Sequence, residues 1–309
     1  MNTVVRKKKH RPKSRKLMTR GEKAFEIFNY VFMAILCVIC LYPLWYVLVC
    51  SVSDPIELYA QRGIMAWPLG TWSVRGYRLV MENPNIPIGF RNTLIYMVIG
   101  TLVNMFLTTT AAYGLSRKNC YWNGFIMKFI AFTMYFQGGL IPFYLQVKSF
   151  NLLDTYSGII LPVAVNTWNL VVMRTSFAAI PDSLEESARL DGANDWTILW
   201  RIFFPLAQAT VAVISLFYAV TWWNNWFNPS IFLSSKSKYP LQLVLREILL
   251  KNDTSAMTQV GSVGQSQQEQ FRMLVKYCTI IVATVPILVV YPFLQRYFVK
   301  GVMIGSIKG

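Results

Sequence analysis

The sequence has few of the residues from which catalytic sites and metal centres are usually built. His10 is the only histidine among the 309 residues, and it lies in a basic segment at the start of the chain. Neither the phosphate loop G-x-x-x-x-G-K-[ST] nor the nucleophile elbow G-x-S-x-G occurs. These absences argue against a metal site, against imidazole-dependent catalysis and against hydrolysis of ATP by this chain.

Acidic residues are also scarce, with 14 Asp and Glu against 30 Lys and Arg, and none falls in a long apolar run. Transporters coupled to protons or sodium usually need a titratable or ion-binding group at membrane depth. We therefore expect any energy for transport to come from a partner. Cys37 and Cys40 form a C-x-x-C inside an apolar run without a second pair, so we interpret them as small hydrophobic residues.

Apolar residues, by contrast, make up 54% of the chain, and the mean hydropathy is +0.39. These values are typical of an integral membrane protein. Runs of about 20 apolar residues are long enough to cross a bilayer as a helix. The predicted fold is therefore an all-α membrane protein with six transmembrane helices, near 27–51, 93–116, 124–147, 157–179, 204–226 and 271–296.

The third predicted span contains polar and helix-breaking residues, namely Gln137, Gly138, Gly139 and Pro142. It is therefore predicted to be kinked or broken. Irregular backbone at membrane depth normally faces protein or a water-filled cavity, which makes this segment a candidate for lining a pore. The glycines are equally consistent with a close crossing of two helices.

Lys and Arg residues predict the orientation in the cell membrane. They are concentrated in a basic tail, residues 1–26, which the positive-inside rule places in the cytoplasm. The membrane domain, 27–296, then returns the C-terminal tail, 297–309, to the same side. A loop at about 181–205 is also cytoplasmic, and a loop at about 228–270 lies outside. Arginines in the first outer loop oppose this assignment, but long loops are weak topology signals.

The basic tail accounts for much of the net charge of +16. It lacks interleaved aromatic residues and a recognisable binding module, so we predict no nucleic-acid partner. A polybasic segment beside a membrane span is typical of an orientation signal and of a contact with anionic lipid.

A charged segment, 185–205, separates two apolar runs and must lie at the membrane surface. Asp182 or Ser183 is predicted to cap a helix that runs to Leu190, and Gly192 permits a sharp turn after it. Glu186-Ser187-Ala188, Gly192 and Pro205 resemble, in type and spacing, the cytoplasmic EAA loop of importer-type ABC permeases. Ser187 and Phe204 depart from the usual residues, conservatively in size or polarity.

The resemblance covers most of the chain beyond the basic tail and is closest to the maltose-type carbohydrate permeases, in the branch that imports complex oligosaccharides. Four further stretches carry it, at 101–118, 138–142, 226–233 and 297–305. It implies the type I ABC importer permease fold, in which the EAA loop forms a coupling helix.

The resemblance also implies a set of partners. These are a second homologous permease, two ABC ATPase subunits that bind ATP and magnesium in place of this chain, an extracytoplasmic solute-binding protein and an oligosaccharide substrate. It assigns coupling to Glu185, Glu186, Ala188, Asp191, Gly192, Ala193 and Pro205, and contact of the C-terminal tail with the ATPases to Lys300, Gly301 and Gly305.

Candidate substrate or pore residues are Asn104, Gln137, Trp222, Trp223, Asn224, Asn225 and Trp226. Carbohydrate sites pair flat aromatic faces with amide groups, but tryptophan also gathers at membrane interfaces regardless of substrate. Asn104 and Thr108 share one helix face and either line a pore or join helices, and we favour the second interpretation.

The coupling motif does not identify the cargo. A permease for a polyol or for glycerol phosphate therefore remains the main alternative. A facilitative channel would transport without nucleotide, and a membrane-bound enzyme would need a convergent polar site that the sequence does not reveal.

Overall fold

A computed structural model describes residues 19–61, 63–251 and 270–289, and these residues form helices and connecting loops without a β-strand. In chain order the α-helices are α1 (Arg20–Ser51), α2 (Pro55–Ala60), α3 (Arg75–Glu82), α4 (Asn85–Ser116), α5 (Asn123–Tyr135), α6 (Leu140–Ser149), α7 (Tyr156–Ile160), α8 (Thr167–Ala178), α9 (Asp182–Leu190), α10 (Asp195–Ile198), α11 (Phe204–Leu206), α12 (Gln208–Trp223), α13 (Phe227–Phe232), α14 (Leu241–Lys251) and α15 (Gln270–Val289).

The six predicted spans are confirmed, although only three of them are single helices. Helices α1, α4 and α15 are each long and apolar enough to cross a membrane. The other three spans are bent pairs, α5 with α6 at 117°, α7 with α8 at 53°, and the segment Asp195–Leu206 with α12 at 88°. The break in the third span was predicted from its glycines, whereas the breaks in the fourth and fifth spans were not.

The break between α7 and α8 is stabilised by side chains from neighbouring helices. Asn104 of α4 donates its Nδ2–H to the carbonyl of Val163 at 3.2 Å. The Tyr218 hydroxyl of α12 accepts from the backbone N–H of Asn166 at 3.1 Å and lies 2.7 Å from Thr108 Oγ1. These bonds satisfy backbone groups that a membrane cannot hydrate, so Asn104 and Thr108 do join helices.

Helix α4 lies at the centre of the described fold, in contact with α8, α12 and α14. Gly100 allows α12 to approach closely, because a Cβ atom there would lie only 2.4 Å from Cε2 of Trp222. Small residues at such crossings let helices pack through backbone and ring atoms. Trp222, 3% exposed, donates its Nε1–H to Asn104 Oδ1 at 3.2 Å.

The two ends of α4 contact different parts of the chain. At its N-terminal end Asn92 donates to the carbonyls of Ser237 and Tyr239 at 2.7 and 3.0 Å, in the loop that leads into α14. At its C-terminal end Arg117 contacts α9. A helix rises about 1.5 Å per residue, so these contacts are separated by about 37 Å along α4.

Candidate functional site

Gly192 ends α9 in the geometry of a Schellman motif. Its φ is +79°. Its N–H donates to the carbonyl of Arg189 at 3.0 Å, and the N–H of Ala193 donates to the carbonyl of Ala188 at 2.9 Å. This pair of bonds requires a left-handed residue, which glycine adopts without a Cβ clash. The chain therefore leaves α9 at the residue where the sequence predicts a turn.

The predicted N-terminal cap of α9 is wrong. The residue before the helix is Pro181, and no side chain caps the first turn. Asp182 instead forms an ion pair with Lys118, with 2.5 Å between Oδ2 and Nζ. This hydrogen bond lowers the pKa of the Asp182 carboxyl and raises the pKa of the Lys118 ammonium. The carboxylate is thus used to join α9 to the end of α4.

Arg117, directly after α4, contacts α8, α9 and the ring of Phe203 at the inner side of α9. Its Nη1 donates to Glu185 Oε2 at 2.6 Å, and its Nη2 donates to the carbonyl of Phe177 in α8 at 3.1 Å. Its Cζ lies 4.3 Å from the ring centroid of Phe203. Glu185 Oε1 also accepts from Arg189 Nη2 at 2.8 Å. Charge-assisted bonds of this kind are the stronger ones in proteins, so α9 is firmly attached to α4 and α8.

The opposite face of α9 has no partner among the described residues. Glu186 and Ser187 are exposed, and Leu190 is 90% exposed. Ala188, by contrast, is buried against the neighbouring helices. Residues three and four apart share a helix face, so Glu186 and Leu190 form one outward surface while Glu185 and Ala188 face inward.

A second short helix follows the turn. The side chain of Asn194 caps α10 by accepting from the N–H of Thr197 at 2.9 Å. Asp195 pairs with Arg189 of α9, and its Oδ1 accepts from the Tyr113 hydroxyl at 3.3 Å. The start of α10 is thus fixed both to α9 and to α4.

Pro205 lies at the bend of the fifth span. A π-helical turn, Leu199–Phe203, precedes α11, and the chain then bends by 88° into α12. Proline has no N–H to donate to the preceding turn, and π-turns often accompany such breaks. A tight turn at Gly192 therefore joins α9 to the segment Asp195–Leu206, and the 88° bend separates this segment from α12.

A cavity of about 700 Å³ lies where the broken fourth span meets the end of α12. This volume falls within the range of about 300–1,000 Å³ that is typical of ligand sites. Tyr218, Trp222 and Trp226 contribute aromatic surface. Its amide groups come from Asn104, Asn166, Asn169, Asn224, Asn225 and Asn228.

The sequence matches the family described as "Binding-protein-dependent transport system inner membrane component" over residues 15–304. The chain belongs to this family.

Individual relatives agree with the family match. The chain is 39% identical to "Polygalacturonan/rhamnogalacturonan transport system permease protein YtcP" of Bacillus subtilis (strain 168), covering 93% of this chain and 99% of the relative. It is 37% identical to "Protein LplC" of the same organism, over 94% of this chain and 97% of the relative. A solved bacterial ABC transporter involved in the import of the acidic polysaccharide alginate contains a chain with 30% identity and a TM-score of 0.81, covering 91% of this chain and 99% of that one.

The permease brings together most of the aromatic and amide residues that the sequence suggested. Asn104, Trp222, Asn224, Asn225 and Trp226 all line the cavity. Asn104 and Trp222 also bond to each other, so much of their polar surface is already occupied.

Two of the candidates lie elsewhere in the permease. Trp223 packs edge-on against Phe90, with 5.9 Å between ring centroids, because consecutive residues of a helix face different directions. Gln137 lies in the exposed break between α5 and α6 and does not line the cavity. A Cβ atom at Gly138 or Gly139 would meet nothing within 4 Å, so the described residues contain no close helix crossing there.

Three predicted site residues lie outside the part of the chain that the structure describes, and several residues that line the cavity were not predicted. Lys300, Gly301 and Gly305 lie outside the described residues. Asn166, Asn169 and Tyr218 line the cavity but were not predicted to do so. Asn166 follows Pro162 at the helix break and caps α8 by accepting from the N–H of Asn169 at 3.0 Å. Pro162 followed by a capping asparagine was a usable signal for that break.

Proposed function

We propose that this permease is a transmembrane subunit of an ATP-driven, binding-protein-dependent importer of oligosaccharides. The exposed face of α9 carries the proposal, because an acidic and apolar surface on a firmly attached helix suits docking to a soluble ATPase. Glu186, Leu190, Asp191 and Gly192 form the proposed contact. Glu185, Ala188, Ala193 and Pro205 hold that surface in position.

The attachment of α9 supports a mechanism for coupling. Two ATPase subunits bind ATP and magnesium, and their closure moves the docked α9. Because Arg117 bonds to Glu185 in α9 and to the carbonyl of Phe177 in α8, this movement is passed to α4 and α8. Both helices reach the cavity through Asn104 and Asn169. Movement at α9 therefore changes the walls of the substrate path.

A second homologous permease completes the proposed pore. Residues 136–139 are exposed and irregular between α5 and α6, and lipid cannot satisfy their backbone groups. A partner chain or a water-filled pore must therefore cover them, as Gln137 also suggests. The window of α1 that would cross the membrane is likewise unburied within this chain, so it faces lipid or the partner.

The remaining parts of the proposal concern orientation and cargo. Both termini and α9 lie in the cytoplasm, with Lys300, Gly301 and Gly305 in contact with the ATPases, and the basic tail meets anionic lipid. The solute-binding protein docks at the other end of α4. Saccharide cargo is supported by the names of the relatives and by a cavity rich in tryptophan and asparagine.

Purification of the protein from its native membranes in mild detergent, followed by mass spectrometry, tests this proposal. We expect a P-loop ATPase, a second six-span permease and a solute-binding lipoprotein to co-purify, and a glycan to remain on the lipoprotein. A polyol or glycerol phosphate on the lipoprotein would keep the importer and change the cargo. Reproducible recovery of this chain alone would contradict an ATP-driven importer and favour a channel.

A further inference from the structure

A second cavity, of about 500 Å³, lies between α14 and α15. Asn224 and Trp226 line both this cavity and the larger one, so the two spaces meet at these residues. Gln242 and Arg246, four residues apart on one face of α14, also line the second cavity. The walls contributed by α15 are Thr279, Ile280, Ala283, Thr284 and Ile287.

Arg246 is the one charged residue among the described residues that line either cavity. Its Cζ lies 4.3 Å from the ring centroid of Trp226. Within the described parts of the chain no carboxylate forms an ion pair with it. A partly buried guanidinium is costly unless an anion or aromatic surface compensates its charge. Contact with the indole face occupies none of its five N–H donors, so within the described residues these remain for a ligand.

We propose that Arg246, stacked on Trp226, is a subsite for the carboxylate of an acidic sugar residue. The planar guanidinium matches a carboxylate through two parallel hydrogen bonds. Trp226 offers flat apolar surface to the sugar ring, and Asn224 and Asn225 offer amide groups to its hydroxyls. No other charged residue among those described lines either cavity, so this subsite distinguishes acidic from neutral saccharides. The inference rests on the proposed saccharide import and adds the chemical class of the cargo.

The same guanidinium chemistry would also suit a carboxylate on the solute-binding protein. The two sources differ in one measurable respect. A contact with sugar matters only for charged cargo, whereas a contact with the binding protein matters for every cargo. The position of Arg246 in a cavity that adjoins the asparagine-rich one favours the sugar.

Uptake into proteoliposomes that contain the complete transporter distinguishes these cases. The probes are radiolabelled trigalacturonate and its fully methyl-esterified form, which has the same rings without the charges. We expect Arg246→Gln to lower uptake of the acid by about tenfold or more, the effect of removing a charged hydrogen-bond pair, and to leave uptake of the ester unchanged. Arg246→Lys retains the charge without the planar fork, so it is expected to give an intermediate result.

Arg78→Gln is the matched control, because Arg78 is an 81% exposed arginine paired with Glu82 outside both cavities. It is expected to change uptake of neither probe. Equal loss of both probes in Arg246→Gln would overturn the subsite in favour of a structural or docking contact, and so would no loss of either. Uptake of the ester but not the acid by the unaltered transporter would also overturn it, with saccharide import intact. No uptake of any saccharide would contradict the proposed function itself, and this subsite with it.

Discussion

Arg117, at the end of α4, donates to Glu185 in α9 across 2.6 Å, and the two side chains are only 12% and 13% exposed. The pair lies between the surface that faces the proposed ATPase and a helix that reaches the cavity. Because Glu185 forms this pair and Glu186 is exposed, the two adjacent glutamates have different roles. Glu185 attaches α9 to the membrane helices, and Glu186 belongs to the surface available to a partner.

Replacing Glu185 by alanine is expected to destabilise the permease. The change leaves the largely buried side chain of Arg117 without its carboxylate and removes a bond from Arg189, at a cost of about 1–3 kcal/mol. The measurement is the thermal unfolding midpoint of the detergent-purified protein. Glu82→Ala is the control, because Glu82 is 64% exposed in a surface pair. Equal midpoints for both variants would show that the buried pair does not hold α9.

Replacing Glu186 by lysine, or Leu190 by alanine, is expected to abolish ATP-driven uptake without lowering the unfolding midpoint. Both side chains are exposed, so the folded chain loses no contact. The proposed interface loses its charge complementarity or its apolar contact. Uptake and co-purification of the ATPase are the two measurements. Normal uptake by both variants would remove the docking surface from the proposal.

Gly192 is expected to tolerate asparagine better than alanine, and alanine better than proline. At φ +79° alanine costs about 1 kcal/mol and asparagine less, whereas proline cannot adopt this angle and has no N–H for the Arg189 carbonyl. ATP-driven uptake should fall in that order and be lost in Gly192→Pro, with membrane insertion retained. Gly124→Ala is the control, because an added Cβ there meets nothing within 4 Å. Full uptake by Gly192→Pro would contradict a coupling role for this turn.

The turn at Gly192 was predictable because its cause is local, in the chemistry of a few neighbouring residues. The six spans were predictable for a similar reason, since each needs about 20 apolar residues. The prediction that Asp182 caps α9 was wrong because the Asp182 carboxylate pairs with Lys118, which is distant in sequence. The position of Trp223 against Phe90, away from the cavity, was not predictable, because the direction of a side chain at a helix end depends on which neighbour the helix packs against. Arg246 carried no local signal at all, since only the fold brings it to Trp226.

Replacing Gly100 by alanine is expected to impair both folding and transport, because the added Cβ would approach Trp222 to 2.4 Å. Either α12 moves away from α4 or the indole leaves Asn104, and overpacking of this kind costs about 1–3 kcal/mol. Gly114→Ala is a control in the same helix, since nothing lies within 4 Å of its Cβ position. The unfolding midpoint and saccharide uptake are measured for both variants. A Gly100→Ala protein with the midpoint of Gly114→Ala would show that the crossing has room to spare.

Asp154 lies at the end of the molecule far from α9. It is expected to make the free energy of unfolding depend on pH. Its Oδ2 accepts from Ser235 Oγ at 2.6 Å, and its Oδ1 accepts from the N–H groups of Ser235 and Ser234 at 3.0 and 3.1 Å. Lys238 Nζ lies 3.1 Å from the same carboxylate. These bonds, led by that of the Ser235 hydroxyl, hold the pKa of the Asp154 carboxyl well below its ordinary value of 3.8.

The direction of the pH effect follows from this lowered pKa. A carboxylate that is held more strongly in the folded state contributes stability that is fully present above the unfolded pKa and is lost as the pH falls towards the folded pKa. Asp154→Asn should therefore lower the unfolding midpoint at pH 7, and the difference from the unaltered protein should shrink below about pH 4. Asp191→Asn is the control, because the exposed Asp191 side chain has no hydrogen-bond partner in the described part of the chain. A difference that stays constant from pH 7 to pH 3 would show that Asp154 acts through its shape, since only a charged group loses its contribution on protonation.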